Sequence, residues 1–549
     1  MQTRAQISRA AIQRLYISMR HLFVRGHYKP LGVSGEAMIE AMMELKPEIY
    51  GSIADPERVE LKGLLYIFQR LPRGIEECRY VKLIAREGFE NTDFEPIIPS
   101  KRRRHCYRID DEQMYIEMTR GRSDIYDILT HLTFMYVEAE KIRKNSFDSK
   151  NRPRRDWKML QELVEQMEAG EKVNLEVGYT YLSTLLGRTY EEIIAANENF
   201  SQAKGVSSLF KIVYWLGKRS FEEHDEKNDR QITFSSALRE RLGNHLYGEQ
   251  WATKIKEFLY EKELINRPIH IISANMHSVM NSIFAKAAIK SDLVSIEEIA
   301  TNLSKPTSAK LRERVRKFAL KNGMYELSDQ SGMNISVQIF DSTKVEKYLS
   351  DEIVWATAEP FIIIVMDYAF GEQAHESMDE LLKPLEQKEE RIPLKIKSIN
   401  IMGKAGILTG EKGDIMIPQS HVFEGSGDNY PFNNDLTIKE FENHGIGVYE
   451  GAMVTVLGTS LQNKDILSYF LNSSWKGVGL EMEGGHYQKA IQAASKIRNS
   501  ISKDVKLRYA YYASDNPLET GSTLASGSLG AEGVKPTYLI TNRILNRLV

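Results

Sequence analysis

"WKGVGLEMEGGHYQKA" (Trp475 to Ala490) sets two carboxylates, Glu481 and Glu483, around Met482, directly after an apolar run and directly before the pair Gly484-Gly485. The composition from Tyr487 to Ala494 is that of a helix, so the stretch predicts a strand, a glycine entry and a helix. Burying a carboxylate without a partner is costly. The acids are therefore either a polar strand end or groups that hold a ligand.

The same texture runs from about residue 351 onward, with short β-branched runs between glycine turns and helices. "PFIIIVMD" (Pro360 to Asp367), "KSINIMG" (Lys397 to Gly403), "DIMIPQSHVF" (Asp414 to Phe423), "GAMVTVLGT" (Gly451 to Thr459) and "VKLRYAYYASD" (Val505 to Asp515) predict further strands. "HESMDELLKPLEQ" and "KDILSYFLN" predict helices between them. Such alternation implies an α/β domain over 351–549 with a central mixed sheet, and open α/β sheets put their ligands at strand ends.

Upstream the pattern differs. Residues 1–220 read as a mostly α-helical domain, because "SGEAMIEAMMEL", "PERVELKGLLYIFQRL", "DIYDILTHLTFMYVEAEKI" and "DWKMLQELVEQMEAG" repeat apolar residues at three and four. Arginines without any acid in the first 30 residues resemble a transit peptide, but Ile7, Ala11, Leu15, Met19 and Leu22 favour an amphipathic first helix. The clusters "SKRRRHCYR" (Ser100 to Arg108) and "KNRPRRDW" (Lys150 to Trp157) read as solvated loops or helix ends. Residues 221–350 form a helical or winged-helix-like α+β section: a helix, a turn at Ser304 to Pro306, a basic second helix and a strand pair. His270, Ser273, Asn275 and His277 lack the third ligand that a metal would need, and read as satisfied core or interface residues.

Composition sets outer limits. With 549 residues the chain exceeds one hydrophobic core, and 73 Lys+Arg against 75 Asp+Glu make nucleic acid an unexpected obligatory partner. Two cysteines, Cys78 and Cys106, exclude a disulfide framework, and no apolar run reaches membrane-spanning length. A multidomain globular protein of the cytoplasm is expected.

Three strand ends occur in a telling order: "INIMGKAGILTGEKGDIMIP", "GLEMEGG" and "YYASDNPL". Together they resemble the nucleoside phosphorylase and nucleosidase superfamily, over residues 360–549. The resemblance implies a phosphorylase/hydrolase-like fold in which Gly403 to Gly406 form a turn that walls the site. It further implies that Met482 packs on the sugar, that Glu483 accepts from the ribose hydroxyls with Glu481 beside it, and that Ser514 and Asp515 mark the purine end. Cleaving an N-glycosidic bond develops an oxocarbenium-like sugar and a purine anion, which wants a carboxylate near the sugar and a proton donor at the base. Glu483 fits the first role and Asp515 the second, since burial favours the protonated form of a carboxyl.

The chain also departs from that pattern. Lys404 stands in the Gly-x-x-Gly segment where a hydroxyl residue is expected, Ile401 replaces an arginine, and only 28 residues (Asp367 to Leu394) separate the first strand from the next. Lys404 is then a phosphate point charge, Gly371 opens the first loop, and Glu372 or Asp367 orients a water. His421, Glu424 and Asp428 either approach the substrate or belong to a surface loop, and Glu519 to Gly533 is a flap or a connector.

The leading expectation is cleavage of a purine nucleoside or nucleotide, hydrolysis slightly ahead of phosphorolysis. Neither a metal nor an organic cofactor is expected, inorganic phosphate is a possible co-substrate, and the resemblance implies a homo-oligomer. The alternatives are a non-catalytic purine nucleotide-sensing module and a DNA-associated regulator using residues 295–340.

Overall fold

The computed structural model describes residues 3–290, 295–355, 359–387, 389–519 and 530–548. Most of the expected flap, 520–529, lies outside the described residues. Contacts divide the chain into two compact units: Met1–Thr119 with Asp124–Asn244 and Ser460–Asn463, and Arg120–Ser123 with His245–Thr459 and Lys464–Val549. This differs from a division at 220 and 350, because strands before residue 350 pair in the same sheet as strands after it.

The first unit holds the helices read from its three-and-four periodicity, beginning with Arg4–Arg25, whose Ala11, Leu15, Met19 and Leu22 are fully buried. It also holds a five-stranded sheet that the periodicity did not announce. The sheet order is His27–Tyr28, Gln231–Phe234, Tyr80–Ile84, Gln113–Glu117, Cys106–Arg108. In the cluster expected as a solvated loop Lys101 and Arg103 are exposed, but Arg102 and Arg104 turn inward. Arg104, 2% exposed, donates to Asp124 and Asp127, and Arg102 grips Asp127 with two bonds at 2.8 and 2.9 Å. Burial opposes ionisation of Asp127, yet Arg102 and Arg104 hold its carboxyl well below the usual range.

Among the described residues of the second unit ten strands share one sheet. They are β1 (Ile269–Ser273), β2 (Met324–Leu327), β3 (Val337–Asp341), β4 (Ile362–Met366), β5 (Ile396–Ile407), β6 (Ile415–Phe423), β7 (Asn429–Pro431), β8 (Val448–Thr455), β9 (Gly477–Glu481) and β10 (Lys506–Asp515). The order is β7-β6-β8-β9-β5-β1-β4-β3-β2, with β10 pairing both β5 and β6. The pairs β5–β9, β9–β8, β8–β6, β6–β10 and β10–β5 therefore close a circuit. Every residue of β1, β3, β4 and β9 is buried, as expected of β-branched strands covered on both faces.

The helix, turn, basic helix and strand pair expected before residue 350 are present as Ile296–Ser304, Pro306–Ser308, Ala309–Lys321 and β2–β3. The strand pair is no free wing: β3 also pairs antiparallel with β4.

Helix Gln373–Leu381 follows β4 and carries Glu376, 4% exposed, whose carboxylate accepts from Gly248 N at 2.8 Å. Burial pushes this carboxyl up to about 7, Glu380 adding to the shift while Gly248 N–H and Arg122 oppose it. The folded state then holds a proton that the unfolded state releases at its ordinary 4.5, so stability falls as pH rises from about 4.5 to about 7. In Glu376→Gln the amide oxygen still accepts from Gly248, and the pH-dependent part of the stability across that window shrinks by about 1–3 kcal/mol. Denaturant titrations at pH 5 and at pH 8 measure it; an unchanged difference between the two would refute it.

Candidate active site

Register brings the candidate residues to one region of the sheet. Ser273 ends β1 opposite Ile401 of β5 and Met366 of β4, so the segments that follow β1 and β4 leave the sheet level with the middle of β5. Strand β9 runs antiparallel to β5 and pairs Leu480 with Gly406. On its other flank Gly406 pairs with Asp515 of β10, after a register shift at Ala405. The Glu481–Glu483 segment and Asp515 therefore bracket one residue of β5, with Leu480 and Asp515 about 10 Å apart by strand spacing. Gly403 and Gly406, expected in a turn, lie inside β5, where Gly403 pairs with β10 and Gly406 with both β9 and β10, which keeps the backbone extended.

The two acids of the opening motif separate in role. Glu481, 4% exposed, accepts from the Thr455 hydroxyl and from Glu483 N with one oxygen each, and from Gly484 N as well. It thereby satisfies the first amides of helix Gly484–Gln492, which have no carbonyl partner within the helix. Burial and then the charge of Glu483 push the Glu481 carboxyl up to about 7, while its hydrogen bonds pull the other way. A side chain expected to meet substrate is thus occupied in building the site.

Glu483 faces the loop after β4, where its Oε1 accepts from Gly371 N at 3.0 Å. Burial raises its pKa, opposed by the Gly371 N–H and by the charges of Arg120 and Lys404. Gly371 has φ +54, and an added Cβ would overlap Ser123 Oγ, so glycine is required there on two counts. Met482, 9% exposed, lies with its methyl 3.9 Å from that same position. Glu372 follows, its N–H donating to Ser123 Oγ at 2.8 Å.

Arg120 belongs to this group and no local pattern in the sequence marks it. Its guanidinium stands 5.2 Å from the Phe370 ring centroid and donates to Tyr368 O at 3.4 Å. Lys404, exposed on β5, also acts on Glu483. Ser273 and Tyr487 meet at 3.1 Å between hydroxyls, which ties the end of β1 to helix Gly484–Gln492. The sequence pattern marks Ser273, Asn275 and His277 as core or interface polar groups. Ser273 and His277 do have internal partners, His277 Nδ1 lying 3.3 Å from Tyr538 Oη, but they sit at the same strand end as Glu483.

At the other bracket Ser514 Oγ reaches Ala405 O at 3.1 Å and Asp515 Oδ1. The one hydroxyl proton of Ser514 is thus shared between two acceptors. His421 is fully buried and burial lowers its pKa to about 3, so it is a neutral core group stacked on Phe432. Glu424, 4% exposed, accepts from Leu457 N at 2.6 Å, while Asp428 is exposed.

Gly484 makes a second close approach in the site. A Cβ there would overlap His421 Nε2 and stand 2.6 Å from Tyr511 Oη, both in a packed layer. Gly484→Ala is expected to cost about 1–3 kcal/mol. Denaturant unfolding measures this, and a cost below about 0.5 kcal/mol would show that the layer yields freely.

Fold and site together define an α/β protein with a carboxylate and a Ser-Asp pair converging on the central strand. The chain belongs to the family of unknown function DUF6909, which it matches over residues 36–318 and 301–549. No curated protein matches it. Among solved structures it overlaps 5'-methylthioadenosine/S-adenosyl homocysteine nucleosidase from Campylobacter jejuni at 12% identity, with 51% of this chain and 97% of that one covered and a TM-score of 0.30. The corresponding nucleosidase of Neisseria meningitidis gives 9%, 51%, 100% and 0.30. Isoform 2 of uridine phosphorylase from Schistosoma mansoni gives 10%, 55%, 89% and 0.31. These likenesses are weak. Among the described residues no helix is long and apolar enough to cross a membrane.

Proposed function

We propose that the second unit cleaves the N-glycosidic bond of a purine nucleoside or nucleotide, by water or by phosphate. The observation that carries this reading is the bracketing of Gly406 by the Glu481–Glu483 segment on one flank and Asp515 on the other. A sugar at the first flank has Glu483 for its hydroxyls and for the positive charge that develops at the anomeric carbon; a base at the second has Asp515 as proton donor. Arg120 and Lys404 near Glu483 make that end attractive to a phosphate group, whether the substrate's own or a free co-substrate.

The reaction follows from these roles. Asp515 protonates the purine as the C–N bond lengthens, the bonding electrons leave with the base, and Glu483 stabilises the oxocarbenium-like sugar until water or phosphate adds to it. The site is expected to work in a homo-oligomer without metal or organic cofactor.

Incubation with purine nucleosides and nucleotides, with and without phosphate, followed by chromatography tests this directly. Base released equally without phosphate identifies hydrolysis, and a sugar 1-phosphate identifies phosphorolysis. No base from any substrate would refute the reading. The second reading, a purine nucleotide sensor, is favoured by Lys404 inside the glycine segment; calorimetry would then show binding without base release.

A further inference from the structure

A second surface lies within the same unit and owes nothing to the glycosidic reading. Helices Ser278–Ile289 and Ala309–Lys321 flank a groove of about 780 Å³. Helix Ala309–Lys321 buries only Val315 and Ala319, and leaves most of its length to solvent. Lys310, Arg314, Lys317 and Lys321 line the groove at spacings of four, three and four, and so form one stripe about 16 Å long. Lys290 adds a fifth cation from the opposite side, against Glu313 as the single carboxylate among the lining residues. Glu313 is shared between Arg316 at 3.6 Å and Lys317 at 3.8 Å; Lys310, Arg314 and Lys321 form no ion pair among the described residues.

We infer that this groove is a docking surface for an acidic amphipathic helix of a partner protein. Charge complementarity sets the sign, and the three-four spacing sets the form, because acids repeated at the same spacing on a second helix would meet the stripe along its length. Ala287 on one wall and the exposed Ala309 on the other are small enough for a helix to approach closely, and give its apolar side a surface to cover.

A nucleic acid fits the same charge less well. Phe318, the aromatic residue of the lining, is held edge-on by Phe284 and Tyr348, with centroids at 6.2 and 5.2 Å, and offers no platform for a base. The strand pair that follows the basic helix is joined to the main sheet through β3 and β4 rather than standing free as a wing.

The test uses the full chain and fluorescence anisotropy at two salt concentrations. The probes are a labelled 20-residue helical peptide with glutamates at i, i+4, i+7 and i+11 beside a leucine face, a peptide of the same composition with its glutamates spread round the helix, and a duplex DNA of 20 base pairs. The patterned peptide is expected to bind at least tenfold tighter than the other two. Arg314→Glu with Lys317→Glu, both exposed, should weaken it at least tenfold, while Lys347→Glu, on a separate segment, should leave it unchanged. Circular dichroism confirms that each variant is folded. Equal binding of the two peptides, preference for the duplex, indifference to the double reversal or no binding of the patterned peptide would each overturn the inference.

Discussion

Glu483→Gln should slow base release from purine nucleosides or nucleotides by about a hundredfold to a thousandfold, with little change in thermal midpoint. The amide oxygen of glutamine still accepts from Gly371, so the loop that holds Glu483 stays in place. What disappears is the negative charge facing the sugar, which matters most when the sugar is most positive. The loss therefore falls mainly on kcat, and less on the binding of substrate. Burial already raises the pKa of Glu483, and Arg120 and Lys404 work to keep it ionised. Removing Arg120 should accordingly move the lower limb of the pH–rate profile upward. Unchanged turnover in Glu483→Gln would remove this carboxylate from the chemistry.

Asp515→Asn should cost about a hundredfold to ten-thousandfold with a purine as leaving group. Asparagine keeps the size of the side chain and can still accept from the Ser514 hydroxyl. It has no acidic proton for the base. The distinguishing measurement is a ribosyl substrate with a nitrophenyl leaving group, which departs as a stable anion. If Asp515 acts as a general acid, the loss with that substrate is about tenfold or less. An equal loss with both substrates would assign Asp515 a structural part at the bulge beside Gly406.

Parts of this site were legible in the sequence for clear physical reasons. Runs such as Ile362–Met366 and Lys506–Asp515 are β-branched or aromatic and bounded by turn residues, and each became a strand. Basic residues after a turn marked Ala309–Lys321 as an exposed helix. Strand β1 escaped notice because His270 and Ser273 interrupt its apolar pattern; both are satisfied by long-range bonds, to Ser398 and to Tyr487. Gly403 and Gly406 suggested a turn, since nothing local reveals that strands arrive on both sides. Arg120 and Ser123 were illegible for the same reason, being about 250 residues from the loop they meet. The inward arginines Arg102 and Arg104 misled because a run of like charges looks solvated until its carboxylates, Asp124 and Asp127, are seen in space.

The closed circuit of β5, β9, β8, β6 and β10 bears on how this protein is made. Among the described strands of this circuit β10, Lys506–Asp515, comes latest in the sequence. Until that strand leaves the ribosome, β5 and β6 each lack a neighbour and leave backbone amides and carbonyls open to other chains. The second unit also takes in Arg120–Ser123, synthesised long before, while Ser460–Asn463 completes the first. Neither unit is one continuous stretch, so neither is complete when its leading segment alone has been made. A chain cut short before β10 should expose an unpaired sheet and rely on chaperones, and fragments for laboratory use should keep the whole chain.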